Sequence, residues 1–105
     1  MQYRYATILD LQKVENLLEK IKSDFLRTRK GKKGSPKRNL SNPKYKMILS
    51  INKSKIIGYI SYKLKSETQA RLVGIGLLKN YRGKGIGKTL FDKAIKDMKK
   101  RGVKI

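Results

Sequence analysis

The sequence predicts an α/β (α+β) domain on a mixed, mostly antiparallel sheet, in the order β-α-loop-β-β-β-α-β, the last strand a stub. Three observations predict it. Two segments, near 11–27 and 86–98, carry apolar residues at helical spacing. Between them lie three β-branched and aromatic runs joined by short polar turns. A glycine-rich turn then joins the third run to the second helix. At 105 residues the chain suits a single domain, 1–105.

Residues 2–9, rich in Tyr, Thr and Ile, read as the first strand, and Asp10 as the N-cap of the helix behind it. Leu11, Val14, Leu17, Leu18, Ile21 and Phe25 form one helical stripe, which assigns it to the core and ends the helix near 27. Residues 28–44 read as a basic, flexible loop closed by Asn42-Pro43. Tyr45–Ile51 is the next strand. Asn52-Lys53-Ser54 supplies a turn, and Lys55–Leu64 returns antiparallel. Ala70–Leu78 follows as a third meander strand, in which Gly74 and Gly76 mark a bulge or a close approach of backbone or ligand. Ile86, Leu90, Phe91, Ala94, Ile95 and Met98 restore helical spacing. Lys99, Lys100 and Arg101 suit the helix C-terminus, with Gly102 just beyond it. Val103-Lys104-Ile105 begins a strand.

Charge is the dominant compositional feature. With 28 Lys plus Arg against 7 Asp plus Glu, the formal net charge is +21. No acid occurs between Asp24 and Glu67. A field of this sign concentrates anions and repels cations, so the expected partners are phosphates, nucleic acid or an acidic protein face, met through the stretch Arg27–Lys46. A solvated basic loop is the plain alternative. Lys predominates over Arg and acts as a point charge, which favours backbone contacts over base reading.

The chain has no Cys and no His, which removes disulfides, Cys/His metal sites, Cys nucleophiles and His-based triads; no metal is expected. No apolar run approaches the roughly 20 residues needed to span a bilayer, and no signal core follows Met1. The expectation is a cytoplasmic protein with no membrane partner.

The most informative segment is Leu77-Leu78-Lys79-Asn80-Tyr81-Arg82-Gly83-Lys84-Gly85-Ile86-Gly87-Lys88-Thr89. Glycines let backbone N–H groups approach an anion, the helix N-terminus adds unpaired donors, and Arg82, Lys84 and Lys88 add charge. Two nucleotide motifs fit poorly. A P-loop needs glycine where Arg82 stands, and a dinucleotide fingerprint needs glycine where Lys88 stands. The pattern [Q/R]-x-x-G-x-[G/A] is met by Arg82, Gly85 and Gly87, and Tyr-Arg-Gly-Lys-Gly-Ile-Gly resembles motif A of the GNAT superfamily of acyl-CoA-dependent N-acyltransferases. The order of elements from residue 2 to 105 also resembles the first two-thirds of that fold, with the C-terminal third missing.

The resemblance implies that Arg82, Gly83, Lys84, Gly85, Ile86, Gly87, Lys88 and Thr89 bind the pyrophosphate end of acetyl-CoA. It also implies that the strand ending at Leu77 and Leu78 lines the pantetheine arm. The implied reaction is acetyl transfer from acetyl-CoA, as co-substrate, to an amine of a macromolecular or anionic acceptor. Such chemistry calls for a base to free the amine and a donor for the thiolate, and no clear candidate for either is evident. Residues 72–78 contain no acid. Glu67, in the preceding turn, is the one nearby carboxylate, and an ordinary solvated turn residue is its plainer reading. The alternative function is a non-catalytic, shortened GNAT-fold module that binds CoA or nucleic acid. An exposed sheet edge suggests a homodimer that completes the sheet.

Overall fold

The computed structural model describes residues 1–23 and 36–104. Strand β1 (Gln2–Tyr5) leads through a 3-10 turn at Ile8–Asp10 into helix α1 (Leu11–Ser23). Helix α2 (Pro36–Ser41) precedes the meander β2 (Tyr45–Asn52), β3 (Lys55–Leu64) and β4 (Ala70–Leu77). A 3-10 turn at Lys79–Tyr81 then leads to helix α3 (Ile86–Lys100). The four strands pair in the order β1-β2-β3-β4, every pairing antiparallel.

The two helical stripes cover opposite faces of the sheet. Val14 of α1 packs with Met47, Leu49 and Ile51 on one face, with Tyr45 and Tyr59 against them. Ile86, Leu90, Ala94 and Met98, spaced four apart along α3, pack on Ile48, Ile57, Ile60 and Tyr62 on the other. This sandwiching explains why Met47–Ile51 are all buried, with no alternation between buried and exposed positions.

Two bulges set the phase of the strands. Ser50 pairs with Gly58 and Ile51 with Ile56, so Ile57 is the extra residue of β3. Ser61 pairs with Gly74 and Tyr62 with Leu72, so Val73 is the extra residue of β4. The bulge expected near the glycines thus falls directly before Gly74. Its consequence is specific. Beyond Val73 the alternation reverses, so Gly74 and Gly76 meet the α1 face while Ile75 and Leu77 meet the α3 face.

Some boundaries differ from expectation, each for a local reason. The first strand stops at Tyr5 rather than running to residue 9, because the carboxylate of Asp10 draws the chain into a turn. It accepts the Thr7 N–H at 2.8 Å and a paired contact from the Arg4 guanidinium at 2.8 Å. Asp10 therefore closes the turn ahead of α1 instead of capping that helix. Within the expected 28–44 loop, residues 36–41 are helical, with Pro36 at the first position, where a missing N–H costs nothing. Asn42 follows, its side chain accepting the Lys44 N–H at 2.9 Å. The rest of that loop to residue 35, Phe25 and the expected end of the first helix lie outside the described residues. Val103 is buried in the α3 cluster, and the Lys104 N–H bonds the Thr68 carbonyl at 2.9 Å. Residues 103 and 104 thus dock as irregular backbone instead of strand.

Among the described residues no helix is long and apolar enough to cross a membrane, and no cluster of Asp and Glu has the grouping of a metal site.

Candidate functional site

The turn between β4 and α3 is organised around two left-handed glycines. Gly83 has φ +76° and Gly85 φ +81°. L-residues pay a steric penalty at such angles because Cβ meets the carbonyl oxygen. Space is not the constraint. A Cβ built on either glycine meets nothing within 4 Å, so the turn stands open on its outer side. A backbone that alternates in this way presents successive N–H groups outward.

Helix α3 starts at the same place. Its first internal bond is the Thr89 N–H to the Gly85 carbonyl at 3.1 Å, seconded by the Thr89 hydroxyl to the same oxygen at 3.1 Å. The N–H groups of Ile86, Gly87 and Lys88 precede that bond and point out of the helix N-terminus. Lys84 and Lys88 are exposed beside them, so full charges reinforce the positive end of the helix dipole. Ile86 is buried under the turn and fixes where the helix emerges from the core.

The strand end is held firmly. The Leu78 N–H continues the sheet by bonding the Ile57 carbonyl at 2.9 Å, and Leu77 and Leu78 pack on the α3 cluster. The Arg82 Nε bonds the Leu77 carbonyl at 3.1 Å, tying the turn to the strand it leaves. Gly87 sits where a Cβ would be 3.6 Å from Leu77, an ordinary contact. A cavity of about 240 Å³ lined by Lys13, Leu17, Lys55 and Leu78 opens beside this end of the sheet on the α1 face.

The structure brings residues 77, 78 and 82–89 together as one strand–turn–helix unit. It does not bring Glu67 to them. Glu67 is exposed in the turn between β3 and β4, at the far end of β4, with its carbonyl near Gly102. No carboxylate stands on β4 itself.

Two clusters have no signal in local sequence. On the α3 side, Asp97 gathers the hydroxyls of Tyr5 and Tyr62 and the Arg101 Nε, the last at 2.8 Å. Burial pushes the Asp97 carboxyl up, but the hydrogen bonds from Tyr5, Tyr62 and Arg101 outweigh it and hold the group below its ordinary value. Burial, then the bond to Asp97, drives the Tyr62 phenol far above its usual range. On the α1 side, Tyr59 lies over Gly74 and Gly76, next to Ser61 and Tyr45. Burial raises both the Tyr45 and Tyr59 phenols, so they stay protonated at neutral pH. Only the helical spacing of Arg101 from Asp97 could have been read beforehand; the other partners are remote in sequence.

The model of the acetyltransferase (GNAT) family matches residues 11–105. No curated protein matches the sequence. Among solved structures, an acetyltransferase from Vibrio fischeri superposes with a TM-score of 0.81 at 24% identity, covering 99% of this chain and 91% of that one. PaiA N-acetyltransferase from Thermoplasma acidophilum, in complex with coenzyme A, gives 0.75 at 25% identity, covering 98% and 76%. A ribosomal-protein-alanine N-acetyltransferase from Brucella melitensis biovar Abortus gives 0.77 at 15% identity, covering 97% and 74%.

Proposed function

Because this chain belongs to the GNAT acetyltransferase family, we propose that it transfers an acetyl group from acetyl-CoA to an amine of an anionic or macromolecular acceptor. The observation that carries the reading is the turn at 82–88. Two left-handed glycines with open space above them meet the first N–H groups of α3 between Lys84 and Lys88. That donor set fits a diphosphate ester, which has no proton to give and several oxygens to receive. A similar structure in complex with coenzyme A supports the ligand. The pyrophosphate lies against residues 82–88, with Thr89 completing the helix turn beneath it, and the pantetheine arm runs back along the free edge of β4 from Leu78 and Leu77.

In the transfer the amine nitrogen bonds the acetyl carbon, the carbon–sulfur bond breaks, and one proton passes in net from nitrogen to sulfur. Holding the thioester and the amine together supplies much of the acceleration. A net charge of +21 disfavours polycationic acceptors and favours an amine on an anionic carrier, nucleic acid or an acidic protein face reached through Arg27–Lys46 included. The second reading, a module that binds CoA without turnover, draws on the lack of any carboxylate on β4.

Calorimetry with CoA and desulfo-CoA tests the ligand, and thiol release with candidate amines separates turnover from binding. Gly85→Glu sets bulk and negative charge against the diphosphate and is expected to abolish CoA binding. Undiminished affinity in that variant removes the assignment of the turn.

A further inference from the structure

Lys63 and Arg71 stand directly opposite each other across β3 and β4. Their neighbours Tyr62 and Leu64 face α3, and the cross-strand partner of Lys63 on β2 is Tyr45, on the α1 face. Both basic side chains therefore project from the α1 face, where both are exposed. Among the described residues the ion pairs are Arg4–Asp10 and Arg101–Asp97, so no acid answers this pair. Like charges placed directly opposite on a sheet weaken it. An arrangement that costs stability and has no internal partner is the form a ligand site takes.

The same face carries a second feature one row along. Ser61 is two residues before Lys63 and pairs with Gly74; its hydroxyl bonds the Gly74 carbonyl at 3.4 Å. Tyr59, two residues further, spreads its ring over Gly76 and Gly74. A Cβ on Gly74 would lie 3.2 Å from the Tyr59 hydroxyl, which makes no hydrogen bond among the described residues. The Val73 bulge put both glycines on this face, so the β4 backbone is bare beneath an unpartnered phenol. Ile21 Cδ1 of α1 approaches the row at Gly76.

We propose that Lys63 and Arg71 hold the anionic group of the acceptor, whose amine lies one row along the same face, over Gly74 between Tyr59 and Ser61. The proposal rests on the acetyl-transfer reading, in which the pantetheine arm follows β4 away from residues 82–88 and brings its thioester to the middle of that strand. The acceptor class is then a primary amine that bears its own carboxylate or phosphate about 7 Å away, the rise of two strand residues. The ring of Tyr59 suits an ammonium approaching its face, and its hydroxyl is placed to receive the N–H. Diamines are excluded, because their second cation would meet Lys63 and Arg71.

Amide NMR titration tests this on the whole chain, first with desulfo-CoA and then with ε-aminocaproate, aminohexyl phosphate, hexylamine and cadaverine. The anionic amines are expected to bind roughly tenfold or more tightly than hexylamine, with shifts centred on Ser61, Lys63, Arg71 and Gly74, and cadaverine least. The carboxylate and phosphate probes show which anion is preferred. In Lys63→Gln/Arg71→Gln, which circular dichroism must show folded, the preference is expected to vanish. Equal binding of hexylamine and ε-aminocaproate, or a preference that survives the double substitution, overturns the proposal. Desulfo-CoA binding without any such preference sinks this inference alone. A preference for anionic amines at these residues without desulfo-CoA binding sinks the acetyl-transfer reading instead.

Discussion

The ring of Tyr59 rests on Gly76 so closely that a Cβ there would lie 2.9 Å from its Cε1 and 2.9 Å from Cδ1 of Ile21. A side chain from β3, the bare backbone of β4 and Ile21 of α1 thus meet at one point. Gly76→Ala must displace one of them, and overpacking of this kind costs about 1–3 kcal/mol. Denaturant unfolding should show the loss. Because the clash is shared with Tyr59, combining Gly76→Ala with Tyr59→Ala should cost less than the sum of the two.

Gly85 is held by its backbone angle and not by crowding. Gly85→Ala is therefore expected to destabilise by about 1–2 kcal/mol, and Gly85→Asn by less, since Asn tolerates left-handed backbone. Melting temperatures in that order are the check. If alanine is as stable as glycine, the left-handed turn is not populated in solution.

Lys63→Glu replaces a repulsive cross-strand pair with an attractive one opposite Arg71. Stability should rise by roughly 0.2–1 kcal/mol, and the effect should shrink at high salt. A thermal melt at low and high ionic strength reads both. The same substitution should weaken anionic acceptors, so stability and binding move in opposite directions.

Acid destabilises this fold in a defined window. The Arg4 guanidinium, against some opposition from burial and with help from the Thr7 N–H, brings the Asp10 carboxyl down from 3.8 to about 2. A depressed folded value means that its contribution is complete above the unfolded value near 3.8 and is lost as pH falls toward about 2. Asp97, also held low, adds in the same direction. Asp10→Asn should therefore flatten the stability–pH curve between about pH 5 and pH 2, measured by urea unfolding at fixed pH values.

Tyr62 is fully buried and its hydroxyl reaches Asp97. Tyr62→Phe removes that bond while Tyr5 and Arg101 still serve the carboxylate, an expected cost of about 1 kcal/mol. Asp97→Ala should cost more, because it leaves the Tyr62 hydroxyl buried without a partner. Reversal of that order would show that the hydroxyl finds water.

Much of the architecture was legible residue by residue. The span Lys55–Leu64 was read to its ends, and Ile86, Leu90, Ala94 and Met98 announced α3 through their spacing. Gly83 and Gly85 marked the turn because left-handed backbone is a property of one residue and its neighbours. The first strand misled because Ile8 and Leu9 read as strand residues, yet they are exposed in a turn held by Arg4 and Asp10. A contact between side chains six positions apart overrode local propensity there.

Short-range sterics and hydrophobic period are enough to place α1, the meander β2–β4, the left-handed glycine turn and α3 in order along the chain. That Val73 is the extra residue of β4 follows only from the packed fold. With it came the choice of which face Gly74 and Gly76 meet and the gathering of Tyr5, Tyr62 and Arg101 on Asp97. Strand register minimises the free energy of all cross-strand and helix contacts at once, and a shift of one residue reverses every side chain. No single segment contains that information, so the opposition of Lys63 and Arg71 exists only once β3 and β4 are paired.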